Sequence, residues 1–332
     1  MNTETIQTAD LKTQLANLLS GDLAAVNAIL RRRLRSSSDF VSDITEHVSR
    51  FQGKQIRPIL LLLFERAIAG HSSECGKTLA AAVEMIHTAT LVHDDVIDEA
   101  ETRRHVATVH RRWNTETSVL LGDYLFSKSF HMAASTGDAE ACRLIGLATD
   151  RTCEGELNQT AARLQRSKSE FDYFRIIRDK TGQLFGLSCL LGARSADGSL
   201  QQQRAARRFG IRLGLAFQIA DDILDLTETA SSTGKDEGND LQNGRLTLPL
   251  LRAFRNASED EADELQAVLE NDADDRRTAL NAAPCVQQGI RSAQQTALEL
   301  VQRAKNDLAF LPDSAERSLL HLIAGFAVQR QH

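Results

Sequence analysis

Two short stretches combine acids at a spacing that brings them together. The first is His93-Asp94-Asp95-Val96-Ile97-Asp98 and the second is Asp221-Asp222-Ile223-Leu224-Asp225, each after an apolar helical stretch. At about 100° per residue, acids four positions apart lie about 40° apart on one helix face, one turn along. Carboxylates that close repel by about 1 kcal/mol per pair in water, and by several times that in a drier cleft. Water, arginine or a divalent cation must offset this, and hard cations such as Mg²⁺ favour carboxylate oxygen. One acidic turn at a helix end is an ordinary solvated surface. Two with the same pattern point to a site for several Mg²⁺ ions that share their coordination with substrate phosphates.

Cations stand where phosphate needs partners. Lys54 and Arg57 precede an apolar helix in Gly53-Lys54-Gln55-Ile56-Arg57-Pro58, and Arg103-Arg104 follow the first acidic turn. Lys180-Thr181 interrupt a stretch rich in Leu and Phe, and Lys235 and Arg245 bracket a glycine-rich segment, Ser231–Arg245, after the second turn. Arginine forks suit phosphate oxygens and lysine serves as a mobile point charge. Each alone is a surface cation; their clustering near both acidic turns carries the argument.

The elements that must hold these residues are helices. The 332 residues include 44 leucines and 42 alanines, both strong helix formers, but 19 glycines and only four prolines, with none between Pro58 and Pro249. A sandwich or a run of βα units needs more turn punctuation than that. The expectation is an all-α chain, one domain over 1–332 with residues 1–35 as an N-terminal helical extension. That extension carries an apolar stripe from Leu11 to Leu30, broken near Ser20-Gly21. Further helices are expected from Pro58 to about Gly70, from Ser73 to Asp98, and over 115–135, 139–165, 170–193 and 201–228. A polar turn should fill Glu99–Ala107, and more helices should follow Arg245, with breaks near Asn271–Asp275, Pro284 and Pro312.

Composition narrows the function classes. A net charge of −6 leaves no nucleic-acid footprint, and Arg31–Arg33 with Arg35 read as a solvated helix face. The longest apolar run, Ile59–Phe64, is far short of the roughly 20 residues that span a membrane. The polar N-terminus is no signal peptide, and the five cysteines include no CxxC pair, which suits a cytoplasmic protein.

The motifs GKQIRP, HTATLVHDDVIDEAETRR, GDYL, DKTGQLF, FQIADDILD, GKDEGNDLQNGRLTLPLL and the terminal AVQR occur in the order seen in the trans-polyprenyl diphosphate synthases. The chain resembles that family over essentially 40–330, and its long-chain branch in particular. The resemblance implies an all-α isoprenoid synthase bundle around a deep central cavity, working as a homodimer on small isoprenoid diphosphates. It implies that Asp94, Asp98, Asp221 and Asp225, with Asp95 and Asp222 beside them, hold Mg²⁺ against an allylic diphosphate. Arg103, Lys180, Thr181, Gln218, Lys235 and Arg245 would contact that allylic substrate, and Lys54, Arg57, His87 and Arg104 would bind isopentenyl diphosphate. The product implied is a long, octaprenyl-like polyprenyl diphosphate; a farnesyl or geranylgeranyl synthase of the same family is the alternative.

Three positions depart from the family pattern. Arg245 stands where lysine is usual, Leu246 where proline is usual, and His105 where a glycine commonly follows the paired arginines. Product length in the family rests on residues four or five before the first aspartate. Here these are Thr90 and Ala89, both small, so the floor should lie deeper, near Ile86, Val83 or Ala82, or at Met132 on a neighbouring helix. Rival readings leave more unexplained. Glu84-Met85-Ile86-His87 is the Glu-x-x-His of di-iron bundles but has no second copy. A metal phosphohydrolase accounts for His93-Asp94 alone. A class I terpene cyclase would usually lack an intact second aspartate motif, and an inactive partner subunit would have lost one.

Overall fold

The computed structural model describes residues 3–51, 53–165, 169–227, 245–270 and 276–329, with side chains described from residue 10 and not for 163–165. Helices form nearly all of it, as the composition demands. Helix α1 (Thr3–Leu34) and α2 (Asp39–Ser49) lead into α3 (Ile56–Ala69) and α4 (Glu74–Ile97). After a small hairpin come α5 (Val109–Arg112), α6 (Thr115–Ser135), α7 (Ala139–Gln165) and α8 (Glu170–Ile177). A π-turn (Arg178–Gly182) joins α8 to α9 (Gln183–Ser195), and α10 (Leu200–Thr227) follows. The C-terminal part holds α11 (Leu248–Asn256), α12 (Glu259–Glu270), α13 (Arg276–Ala282), α14 (Pro284–Asp307) and α15 (Ala315–Phe326).

Helix α9 is the hub: every residue from Gln183 to Ala193 is buried, because α3, α4, α7 and α10 all pack on it. A helix apolar on all sides can only be central. Around it one apolar cluster joins α1, α3, α4, α6, α9 and the first half of α10, from Leu19 and Val26 to Phe209 and Leu213. A second gathers Ile219, Ile223 and Leu226 of α10 with α8 and the C-terminal helices. Helix α10 passes from one cluster to the other beside Gln218, at the entrance to the second acidic motif.

The structure departs from the sequence expectation in three places. The break near Ser20-Gly21 is absent and α1 runs through it. An interior glycine costs about 1 kcal/mol, and the burial of Leu19 and Val26 on either side outweighs that. The helix expected over 170–193 carries a π-turn within it, an insertion found frequently at functional sites. The break expected near Pro284 is present: one helix ends at Ala282 and Pro284 opens α14 in its first turn, where its missing N–H costs nothing. The turn after Asp98 contains a hairpin, Thr102–Arg103 paired antiparallel with Val106–Ala107.

The hairpin explains the His105 departure. Arg104 and His105 form its two-residue tip with φ of 52° and 63°, the left-handed backbone of a type I′ turn, which favours Asn or Gly. The family's glycine fits that backbone, whereas histidine bears the Cβ penalty. His105→Gly is therefore expected to stabilise the fold by about 0.5–1 kcal/mol, read as a shift in the urea midpoint at unchanged slope.

Candidate active site

The first acidic motif closes α4. Asp98 is its C-cap, and its backbone N–H donates to the Asp94 carbonyl at 2.8 Å, so the two acids lie one turn apart as their spacing predicts. Asp95 points elsewhere. It is 2% exposed, and the Arg103 guanidinium donates to both of its oxygens, with N–O distances of 2.6–3.0 Å. Burial still raises the Asp95 carboxyl, against the pull of Arg103. Arg103 reaches it because the hairpin folds back over the end of α4. In this structure Arg103 thus secures Asp95.

The π-turn brings the two motifs together. Lys180 Nζ lies 2.8 Å from Glu156 of α7 and 3.7 Å from Asp94. The next residue, Thr181, donates to Gln218 Oε1 at 2.8 Å. Gln218 in turn donates to Asp222 at 2.8 Å, and the Tyr173 hydroxyl donates to the other Asp222 oxygen at 2.6 Å. Two consecutive residues therefore reach toward different acidic motifs. Asp222, 4% exposed, is held by Gln218 and Tyr173 much as Asp95 is held by Arg103. Asp221 and Asp225 stand a turn apart on α10, both half-buried. Arg245, just before α11, completes the link by donating to Asp98 at 2.5 Å. The lysine-to-arginine departure thus keeps its charge at the first motif. Lys235 lies outside the described residues.

The charges explain each other. Burial raises the Asp94 carboxyl, Lys180 lowers it and Asp98 raises it again. Burial, reinforced by Asp94, pushes Glu156 up to about 7 against the pull of Lys180. Burial alone would lower the Lys180 ammonium; Asp94 and Glu156 outweigh it, so the lysine stays protonated. The α7 backbone comes this close because residue 155 is glycine: a Cβ there would stand 2.6 Å from the Lys180 nitrogen.

A second basic group forms around His87 of α4. Burial pulls Arg57 down to about 10, with Glu84 pulling the other way, and its guanidinium lies 4.7 Å from the Phe185 ring centroid. His87 is lowered well below its usual value by burial and by Arg57, Arg103 and Arg104, so it is neutral at pH 7. Arg104 donates to the Phe51 carbonyl and occupies the space that a side chain at residue 53 would need, which glycine leaves open. Lys54 is exposed, 5.7 Å from the Phe326 ring centroid. Arg57 of α3, His87 of α4 and Arg104 of the hairpin are thus gathered together, while Lys54, just before α3, lies beside Phe326. Glu84 and His87 face arginines, which is hostile to a second metal and argues against the di-iron reading.

Among the chain-length candidates, Ala82, Val83, Ile86, Ala89 and Met132 are fully buried where α4 packs on α6. Thr90 is half-buried and donates to the His87 carbonyl at 2.8 Å. Sequence reasoning missed Glu156 and Tyr173. The signals were slight: a glycine beside the acid in Glu154-Gly155-Glu156, and a tyrosine seven residues before Lys180 in a chain with only two.

Among the described residues no three His, Cys, Asp or Glu side chains converge tightly enough to hold a metal alone. The carboxylate oxygens of Asp94, Asp98, Asp221 and Asp225 are donors of the kind that a hard divalent cation prefers. No described helix is long and apolar enough to cross a membrane.

This helical architecture is that of the isoprenoid synthases. The fold superposes on the crystal structure of a decaprenyl diphosphate synthase from Rhodobacter capsulatus with a TM-score of 0.87, at 34% identity, covering 96% of this chain and 98% of that one. It matches a polyprenyl synthase from Caulobacter crescentus, solved with calcium and isoprenyl diphosphate, at a TM-score of 0.88 and 33% identity, over 96% and 98% of the two chains. In sequence it is 32% identical to octaprenyl diphosphate synthase of Escherichia coli over 96% of this chain and 98% of the relative. The family model "Polyprenyl synthetase" matches residues 38–284. The chain belongs to the polyprenyl synthetase family, whose members are prenyltransferases.

Proposed function

We propose that this site adds isopentenyl diphosphate units head-to-tail to an allylic diphosphate, with Mg²⁺, to make a long-chain polyprenyl diphosphate. The observation that carries the reading is the relay Asp94–Lys180–Thr181–Gln218–Asp222, which sets two acidic motifs and a protonated lysine around one place. Asp94, Asp98, Asp221 and Asp225 would hold Mg²⁺, which when bound neutralises charge on the leaving diphosphate. Lys180 and Thr181 would bind the allylic diphosphate, helped by Arg245, Gln218 and Lys235. Asp95 and Asp222 are held by Arg103 and by Gln218 and Tyr173, and Arg103, expected on the allylic substrate, would brace the first motif as well. Lys54, Arg57, His87 and Arg104 would bind isopentenyl diphosphate, with a neutral His87 donating a hydrogen bond.

In the reaction the allylic carbon–oxygen bond breaks and its electron pair leaves with diphosphate. The isopentenyl double bond forms the new carbon–carbon bond, and the product loses a proton to the departing diphosphate. No protein nucleophile is required. Small residues at Ala89 and Thr90 favour continued growth toward a floor near Ile86 or Met132, and the octaprenyl and nonaprenyl synthases among the relatives support a long product. Exposed Val119 and Leu120 on α6, with Leu147 and Leu157 on the adjacent α7, favour a homodimer through these helices. The five cysteines, all free, suit the cytoplasm.

The test is one incubation with Mg²⁺, labelled isopentenyl diphosphate and farnesyl diphosphate, the products being dephosphorylated and sized. A ladder ending at a long polyprenol is expected. Growth that stops after one or two additions would move the floor up to Ala89–Thr90, and no incorporation with any primer would overturn the reading.

A further inference from the structure

Glu156 belongs to neither aspartate motif, yet it makes the shortest contacts Lys180 has. Its oxygens lie 2.8 and 2.9 Å from Nζ, whereas the Asp94 oxygen lies at 3.7 Å. Two acids compete for one ammonium, and the one at charge-assisted hydrogen-bond distance holds it. The site is built for this. Gly155 lets α7 meet the π-turn, and the turn carries the Lys180 backbone into that contact. Lys180 and Glu156 are both largely withdrawn from solvent, with side chains 23% and 20% exposed, so the pairing is not a screened surface one. Asp98, one of the motif's two other acids, is contacted by the Arg245 guanidinium.

We infer that Glu156 is a positioning residue: it holds Lys180 off Asp94, leaving the Asp94 carboxylate to a divalent cation and the ammonium to a diphosphate. Without Glu156 the lysine closes on Asp94, the nearest remaining acid, and a carboxylate engaged by ammonium is a poorer cation ligand. This rests on the proposed metal role of Asp94, so the experiment separates the two. Mn²⁺ is titrated into the full chain with an unreactive allylic thiolodiphosphate at fixed concentration, and free Mn²⁺ is read by electron paramagnetic resonance.

Glu156→Ala is expected to weaken Mn²⁺ binding by about tenfold or more, the worth of one charged hydrogen bond. Glu156→Gln still offers an oxygen to Nζ and should stay within about threefold of the parent. Glu156→Met fills the space without an acceptor, carries the alanine expectation and covers a failure of the alanine variant to fold. In a Lys180→Ala chain, adding Glu156→Ala should change nothing further, because the residue acts only through the lysine. Parental binding in both the alanine and methionine variants would overturn the inference. So would a glutamine variant as weak as alanine, or a further loss without Lys180, since either would make Glu156 itself the ligand. Parental Mn²⁺ binding in Asp94→Ala would overturn the metal reading, and the inference with it.

Discussion

Asp94→Ala is expected to lower the condensation rate by about 10³-fold or more while leaving helical content by circular dichroism unchanged. Asp94 is mostly withdrawn from water, one turn from Asp98 and 3.7 Å from Lys180. In the proposed reaction, charge on the leaving diphosphate grows in the transition state. Groups aimed at that charge contribute more there than in the ground state. Removing one carboxylate removes a cation ligand and also frees Lys180 to settle wholly on Glu156, so two stabilising groups are lost at once. Stability should hardly move: the substitution breaks a long ion pair but also relieves repulsion with Asp98. Asp221→Ala carries the same expectation from the other side of the relay. The measurement is single-turnover incorporation of labelled isopentenyl diphosphate, with thermal melting alongside. Turnover within tenfold of the parent in either variant would remove the metal assignment.

Ala89→Phe should end the product ladder several units early. Ala89 is fully buried on α4, five residues before Asp94 and two turns after Ala82 on the same helix face. A methyl group there leaves a growing chain room to pass; a phenyl ring does not. The rival reading is close packing of α4 on a neighbour, in which case the ring costs about 1–3 kcal/mol through overpacking. Two readouts separate them. A shortened ladder with a nearly unchanged melting temperature places Ala89 on the lumen, while an unchanged ladder with a fall in melting temperature places it in the packed core.

Composition and residue spacing were enough for the class of architecture and the chemistry. Scarce proline and abundant Leu and Ala dictated helices, and the i, i+4 spacing of Asp94 with Asp98 and of Asp221 with Asp225 needed only the helical repeat to become a face. Such information is local, so it is legible in one dimension. Which acids look into the site was decided by packing. Asp95 and Asp222 belong to the same motifs yet are turned away, because Arg103 on a hairpin and Tyr173 on α8 take their oxygens. The hairpin was hidden because its tip is the atypical pair Arg104-His105, and the π-turn because nothing in Asp179-Lys180-Thr181 marks an extra residue in a helical run. Glu156 was invisible for the deepest reason. Its role depends on α7 approaching a turn 24 residues later, and one glycine is the only local sign of it. Residue spacing records what one helix presents, while the pairing of buried charges across helices exists only once desolvation and packing have chosen which partners meet.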